Sequence, residues 1–129
     1  MKKTFSIIIP SWNNLSYLKK CIESIQKNSH FDHQIIVHVN EGIDGTLAYV
    51  QNNNTIEYTY SKENIGVCYA LNKARTLVKS DYFVYVNDDM YLCPNWDTYL
   101  MEEIQQQKDG LFFFSSTVIE PNASSNCVI

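Results

Sequence analysis

The chain alternates two hydrophobic periods. Phe5-Ser6-Ile7-Ile8-Ile9 and Tyr82-Phe83-Val84-Tyr85-Val86 are short, nearly continuous apolar runs closed by polar residues. Runs of that length and composition suit strands covered on both faces of a parallel sheet. Residues 34–39 and 111–114 repeat the signal, and residues 56–60 alternate as a half-buried strand does. Between these runs the period changes. Leu15, Leu18, Ile22 and Ile25 recur at helical spacing, with Lys19, Lys20 and Glu23 on the opposite face. Residues 47–51 predict a short helix. Val67, Ala70, Leu71, Ala74, Leu77 and Val78 predict a helix with a small-residue face, and residues 97–107 another with Leu100, Met101 and Ile104 inward. Strands alternating with helices predict an α/β domain: a mostly parallel, Rossmann-like sheet of about five strands with helices on both faces. Residues 1–114 carry no linker, repeat or low-complexity stretch.

Polar loops follow the first four strands, at residues 11–14, 40–46, 61–66 and 87–89. A parallel sheet brings all four to one edge, the edge where open α/β sheets bind ligands. Gly42, Gly45 and Gly66 suit turns or close approach of backbone to a ligand. Trp12 can stack on a base or sugar, or cover the edge of the core, and Asn13 or Asn14 can cap the following helix. Asp88 and Asp89 are adjacent, with no basic residue within several positions. Two such charges ~4 Å apart repel by roughly 4 kcal/mol at an effective dielectric near 20. Taken alone the pair reads equally as a solvated turn. At the end of an apolar strand, hard oxygen ligands of this kind suit Mg²⁺ or Mn²⁺ bridging to phosphate.

Composition narrows the field. The chain has 129 residues, enough for one domain with a real core. Net charge is −4, and the only Lys/Arg clusters are Lys2-Lys3 and Lys19-Lys20, so a basic nucleic-acid surface is excluded. Cys21, Cys68, Cys93 and Cys127 lack zinc spacing and read as reduced, partly buried thiols, which fits the cytoplasm. His30 and His33 read as surface residues, and His38 as a satisfied structural residue in a strand. No run reaches membrane-spanning length.

The motifs together are more specific than any one alone. Ile7-Ile8-Ile9-Pro10-Ser11-Trp12-Asn13, Gln34-Ile35-Ile36-Val37 leading to Asp44-Gly45-Thr46, Glu63-Asn64-Ile65-Gly66 with Ala70 and Asn72, and Asp81-Tyr82 leading to Asn87-Asp88-Asp89 occur in one order. In that order and spacing the chain resembles the amino-terminal half of a family 2 glycosyltransferase with the GT-A fold. The resemblance implies transfer of a sugar from a nucleotide-diphosphate donor to an acceptor, usually with inversion. The acceptor is a glycan, a lipid carrier or a protein. The acidic turn resembles the family's DXD-type element. By that likeness Asp89 coordinates Mg²⁺ or Mn²⁺, and Asp88 contacts the donor ribose or the metal shell. Pro10, Ser11, Trp12 and Asn13 line the nucleoside site with Asn87 and Asp88 beside it. Lys62, Asn64 and Gly66 lie near base or phosphate, although Lys62 reads equally as a solvated surface residue.

Two departures stand out. The family commonly reads the base with an Asp in the turn after the second strand. Here that turn is Val39-Asn40-Glu41-Gly42, where Asn40 or Glu41 substitutes. The family's catalytic base comes from the following half. Asp97, Glu102, Glu103 and Glu120 are the acids available here, and the sequence places none of them at an acceptor. Residues 1–129 therefore read as one donor-binding domain cut short on its acceptor side. Any peripheral membrane association would run through residues outside it. The competing reading is a non-catalytic nucleotide-sugar binding or partner-docking module on the same fold. A phospho-acceptor receiver domain fits less well, since it wants its acid pair after the first strand.

Overall fold

The computed structural model describes residues 3–119. Glu120 and Cys127 lie outside the described residues. Four strands form one sheet in the order β3-β2-β1-β4: β1 (Phe5–Trp12), β2 (Gln34–Asn40), β3 (Ile56–Ser61) and β4 (Tyr82–Tyr85). Every pairing is parallel, with Ile7 opposite Ile35 and Val84, and Val37 opposite Tyr58. The intervening helices are α1 (Leu15–Asn28), α2 (Thr46–Gln51), α3 (Gly66–Ala74) and α4 (Trp96–Gln105). Helices on both faces of a parallel sheet agree with the sequence pattern.

Side-chain alternation in the strands sorts the core into two layers. Phe5, Ile7 and Ile9 of β1 and Ile35, Val37 and Val39 of β2 meet Leu18, Ile22 and Ile25 of α1, with Val50 of α2 and Ile104 of α4. The opposite face is thinner. There Ala74 of α3 packs on Ile8 and Ile36, with Leu71, Leu77 and Val78 around it. Ala70 and Ala74 are fully buried. Their small side chains let α3 lie close over β1 and β2.

Several expectations need correction. β4 is not buried on both faces. It is the margin of the sheet, and Phe83 and Tyr85 are 59% and 44% exposed. The reason is the strand order: β4 is the outer strand beside β1, and α3 packs chiefly on β2 and β1. Residues 111–114 form no strand. Phe112 and Phe114 instead pack against each other at 4.8 Å, and Phe112 reaches Tyr82 at 5.6 Å, while Leu111 and Phe113 stay exposed. Aromatic residues favour a strand only where a neighbouring edge pairs with them. His33 is not a surface residue. Its ring lies 5.2 Å from Phe5 and 5.2 Å from Trp96, and its Nε2 meets Asp97 at 2.9 Å. The cysteines also divide: Cys21 is buried, whereas Cys68 and Cys93 are exposed. His38 is buried as expected and its Nδ1 meets Thr59 Oγ1 at 2.7 Å, but its Nε2 has no hydrogen-bond partner among the described residues.

Gly42 shows how tightly the β2–α2 turn is built. Its φ is +73°, and a Cβ there would lie 2.5 Å from Val39 Cγ1 and 3.0 Å from Leu47. Gly66 has a similar φ of +75° with nothing within 4 Å of the same point. Gly66→Ala is therefore expected to lose about 1–2 kcal/mol, the left-handed penalty alone. Gly42→Ala adds a steric clash and should lose clearly more. Urea denaturation of the two variants side by side measures the difference, and equal midpoints would refute it.

Candidate functional site

From β1 the chain steps outward to β2 and β3, then returns through α3 to β4 on the other side of β1. The strand order reverses between β1 and β4, so a crevice opens outside their carboxyl ends. Ser11, at the end of β1, and Asn14, in the turn before α1, face the acidic turn after β4 across that point. Ser11 Oγ donates to Asp88 Oδ2 at 2.8 Å, and Asn14 Nδ2 donates to Asp88 Oδ1 at 3.1 Å. Each oxygen of the carboxylate thus has one donor, which fixes its plane.

The turn carrying Asp88 is itself pinned. Val86 N–H continues the ladder to Ile8 O at 3.0 Å, and Met90 N–H closes the turn on Asn87 O at 3.2 Å. Cys21 Sγ donates to the same carbonyl at 3.6 Å, and Tyr85 Oη donates to Asn87 Oδ1. Asp89 is exposed and makes no side-chain hydrogen bond or ion pair among the described residues. One acid is held, and its neighbour is free to accept a ligand.

Two neighbouring groups register the negative field of this corner. Burial pushes the Cys21 thiol up to about 12, with Asp88 and Asp89 adding to the shift. It is therefore a neutral S–H donor under any ordinary condition. The Tyr85 phenol is raised by burial first and by the same two carboxylates next.

The remaining loops are tied to this corner one by one. Asn13, at φ +46°, donates from Nδ2 to Glu41 Oε2 at 2.9 Å and accepts from Ile43 N–H at 3.0 Å. Glu41, at φ +60°, donates its N–H to Ser61 O at 2.9 Å. Asn40 is buried, and its Oδ1 accepts from Ile65 N–H at 3.0 Å. Asn64 Oδ1 accepts from Gly66 N–H at 2.9 Å in a local turn, and Lys62 is exposed. Pro10 is partly buried, and Trp12 is 56% exposed at the end of β1, so it does not cover the core. The four polar loops form one connected rim. Cavities of about 640 Å³ beside Asn13, Asn14, Lys19 and Lys20, and about 580 Å³ beside Ile65, Tyr69 and Lys73, flank it. Neither is lined by Asp88 or Asp89.

Asp44 does what Asn13 or Asn14 was expected to do. It accepts from Leu15 N–H at 2.8 Å and from Thr46 N–H and Oγ1 at 3.1 and 2.6 Å, so α1 is capped from a distant loop. Burial pushes its carboxyl up, but the Thr46 and Leu15 donors outweigh that and hold it below the usual range. Neither this exchange nor the roles of Cys21 and Tyr85 is visible in local sequence. The one available signal is the doubled Asn13-Asn14, since a helix has a single N-cap.

The acids weighed for acceptor chemistry lie elsewhere. Asp97 is fully buried and binds the loop before β2, at the amino edge of the sheet, opposite this rim. Glu102 and Glu103 are exposed on α4. Among the described residues no group of three or more His, Cys, Asp or Glu could hold a metal ion by itself.

Comparison with known proteins bears on the family and the fold. Residues 6–125 match the family described as Glycosyl transferase family 2. Glycosyltransferase GlyG of Streptococcus pneumoniae is 24% identical over 136 residues, which cover 91% of this chain and 45% of that protein. Chondroitin synthase of Pasteurella multocida is 27% identical, over 80% of this chain and 11% of its own length. The putative teichuronic acid biosynthesis glycosyltransferase TuaG of Bacillus subtilis is 28% identical, over 68% of this chain and 36% of its own. The chain thus spans less than half the length of each of these relatives. Among solved structures, S. aureus TarS 1-349 superimposes with a TM-score of 0.66 at 20% identity, covering 80% of this chain and 32% of that one. The same protein in complex with UDP gives 0.65 at 16% identity, with the same coverage.

Proposed function

The chain belongs to glycosyl transferase family 2, and from that premise we propose that it is a donor-binding unit for a nucleotide-diphosphate sugar. The sugar passes to an acceptor with inversion. The observation that carries this reading is the division of labour in the acidic turn: Asp88 is fastened to the β1 loop by Ser11 and Asn14, while Asp89 is unengaged beside it. Relatives named for chondroitin and teichuronic acid favour a glycan among the possible acceptors. Among the described residues no helix is long and apolar enough to cross a membrane. We place the reaction in the cytoplasm, with any peripheral membrane association running through residues outside this chain.

The residues present fit a divalent cation shared with the donor. Asp89, with Asp88 in its shell or on the ribose, supplies hard oxygens but too few to complete a site. Mg²⁺ and Mn²⁺ commonly take one or two carboxylates and fill the rest with phosphate oxygens and water. When bound, the cation neutralises charge on the leaving diphosphate. Trp12, more than half exposed, offers its ring to the base or sugar. Of the two candidates after β2, we assign base recognition to Glu41, because the Asn40 carbonyl is already held by Ile65 N–H. Glu41 Oε2 is steadied by Asn13, which leaves its other oxygen to accept from a base N–H. Lys62, Asn64 and Gly66 close the rim on the base or phosphate side.

Calorimetry with uridine diphosphate, the nucleotide held by TarS, with and without Mn²⁺, tests the reading. Binding strengthened by Mn²⁺ is expected. Donor hydrolysis or transfer then separates an enzyme from a binding module, and affinity indifferent to the cation would remove the metal assignment.

A further inference from the structure

Asn14 occupies the N-cap position of α1, and Leu18 N–H bonds its carbonyl at 3.0 Å. Asparagine is among the best residues for that position because its side chain can accept from the exposed N–H groups of the first turn. Here it makes no capping bond. Its amide nitrogen donates instead to Asp88 Oδ1, 74 residues away in sequence, and Asp44 receives the Leu15 N–H in its place. A local preference is set aside and a compensating residue is supplied from another loop. Such conflicts between local and global rules concentrate at functional or strained sites.

We propose that Asn14 is a positioning residue that acts through Asp88. It holds the acidic turn in the orientation that presents Asp88 and Asp89 to the donor and its cation, and Asp44 has taken over the helix cap that frees it. This assignment rests on the proposed function for the meaning of the turn, and on the hydrogen-bond geometry for the exchange itself. Ser11 holds one oxygen of Asp88, so without Asn14 the carboxylate keeps one anchor and gains a rotation. The cost falls on the site and not on the fold, because α1 retains its cap.

The test compares Asn14→Ala with Asp44→Ala in the full chain. In metal-free protein, Asn14→Ala should shift the backbone amide resonances of residues 87–90 and leave the urea midpoint near that of the parent. Asp44→Ala should do the reverse in stability, lowering the midpoint clearly. In calorimetry, Asn14→Ala should weaken uridine diphosphate binding about threefold to tenfold in Mn²⁺, the scale of one ordinary net hydrogen bond. The loss in chelator should be smaller. The inference is overturned if Asn14→Ala lowers the midpoint as far as Asp44→Ala does, or if residues 87–90 keep their resonances. A parent chain that binds no nucleotide would defeat the proposed function, whereas the metal-free spectra and midpoints decide the Asn14 contact independently.

Discussion

Asp97→Ala is expected to destabilise the fold by about 3–5 kcal/mol, the scale for breaking a buried, hydrogen-bonded charge. The carboxylate is fully buried and accepts from His30 N–H at 2.8 Å, Phe31 N–H at 2.7 Å, Thr98 N–H at 3.0 Å and His33 Nε2 at 2.9 Å. Truncation leaves three donors facing a void, His30 N–H, Phe31 N–H and His33 Nε2, since Thr98 N–H also bonds Asn95 O. It also releases α4 from the loop that feeds β2. A domain of this size has only about 5–15 kcal/mol in total, so the variant should unfold in very little urea. A midpoint unchanged from the parent would show that the cluster is dispensable.

The same cluster sets an acid limit. Burial depresses the His33 imidazole below 6.5, and the partly opposing pull of Asp97 does not restore it. The unfolded chain therefore binds a proton that the folded chain refuses. The stability His33 contributes is complete above about pH 6.5 and declines as pH falls below it. For Asp97, burial raises the carboxyl, but the N–H groups of His30 and Phe31 and the His33 ring outweigh it, so the net shift is downward from 3.8. Its contribution is present above about pH 4 and is lost as pH falls through the depressed value. Urea midpoints between pH 7 and pH 3 should fall in two stages. His33→Phe should flatten the upper one, and an unaltered profile in that variant would assign it to another group.

The parts of this molecule that sequence made legible are those decided locally. The runs of β1 and β2 are apolar because both faces are covered, and the stripe of α1 meets them directly. What local pattern cannot carry is who lies beside whom. The apolar run of β4 reads as central, yet the crossover through α3 leaves it at the margin. Asp97 reads from sequence only as one of the acids available for acceptor chemistry, and only the loop 64 to 67 residues earlier makes it an internal anchor. The site shows the same split. The acid pair and the four loops are visible from spacing and turn chemistry. That Asn40 is consumed in bracing the loop before α3, and that Asp44 caps α1 in place of Asn14, depends on contacts 25 and 29 residues apart in the chain.

Asp89→Ala should abolish most of the Mn²⁺-dependent gain in nucleotide affinity, a loss of about tenfold or more, while the fold is untouched. The two halves of that expectation have separate causes. Asp89 is exposed and unpartnered among the described residues, so its removal strands no donor and relieves repulsion with Asp88. Surface changes of that kind stay within about 0.5 kcal/mol. On the ligand side, losing one of the carboxylates that fix a hard cation removes a charge that phosphate and water do not replace. Asp88→Ala is the necessary contrast. It leaves Ser11 Oγ and Asn14 Nδ2 without their acceptor, so it should lower both affinity and stability. If the two substitutions weaken binding equally with no difference in urea midpoint, the acids are interchangeable and the division between a held and a free carboxylate is wrong. If Asp89→Ala binds uridine diphosphate as the parent does in Mn²⁺, the cation does not sit at this turn.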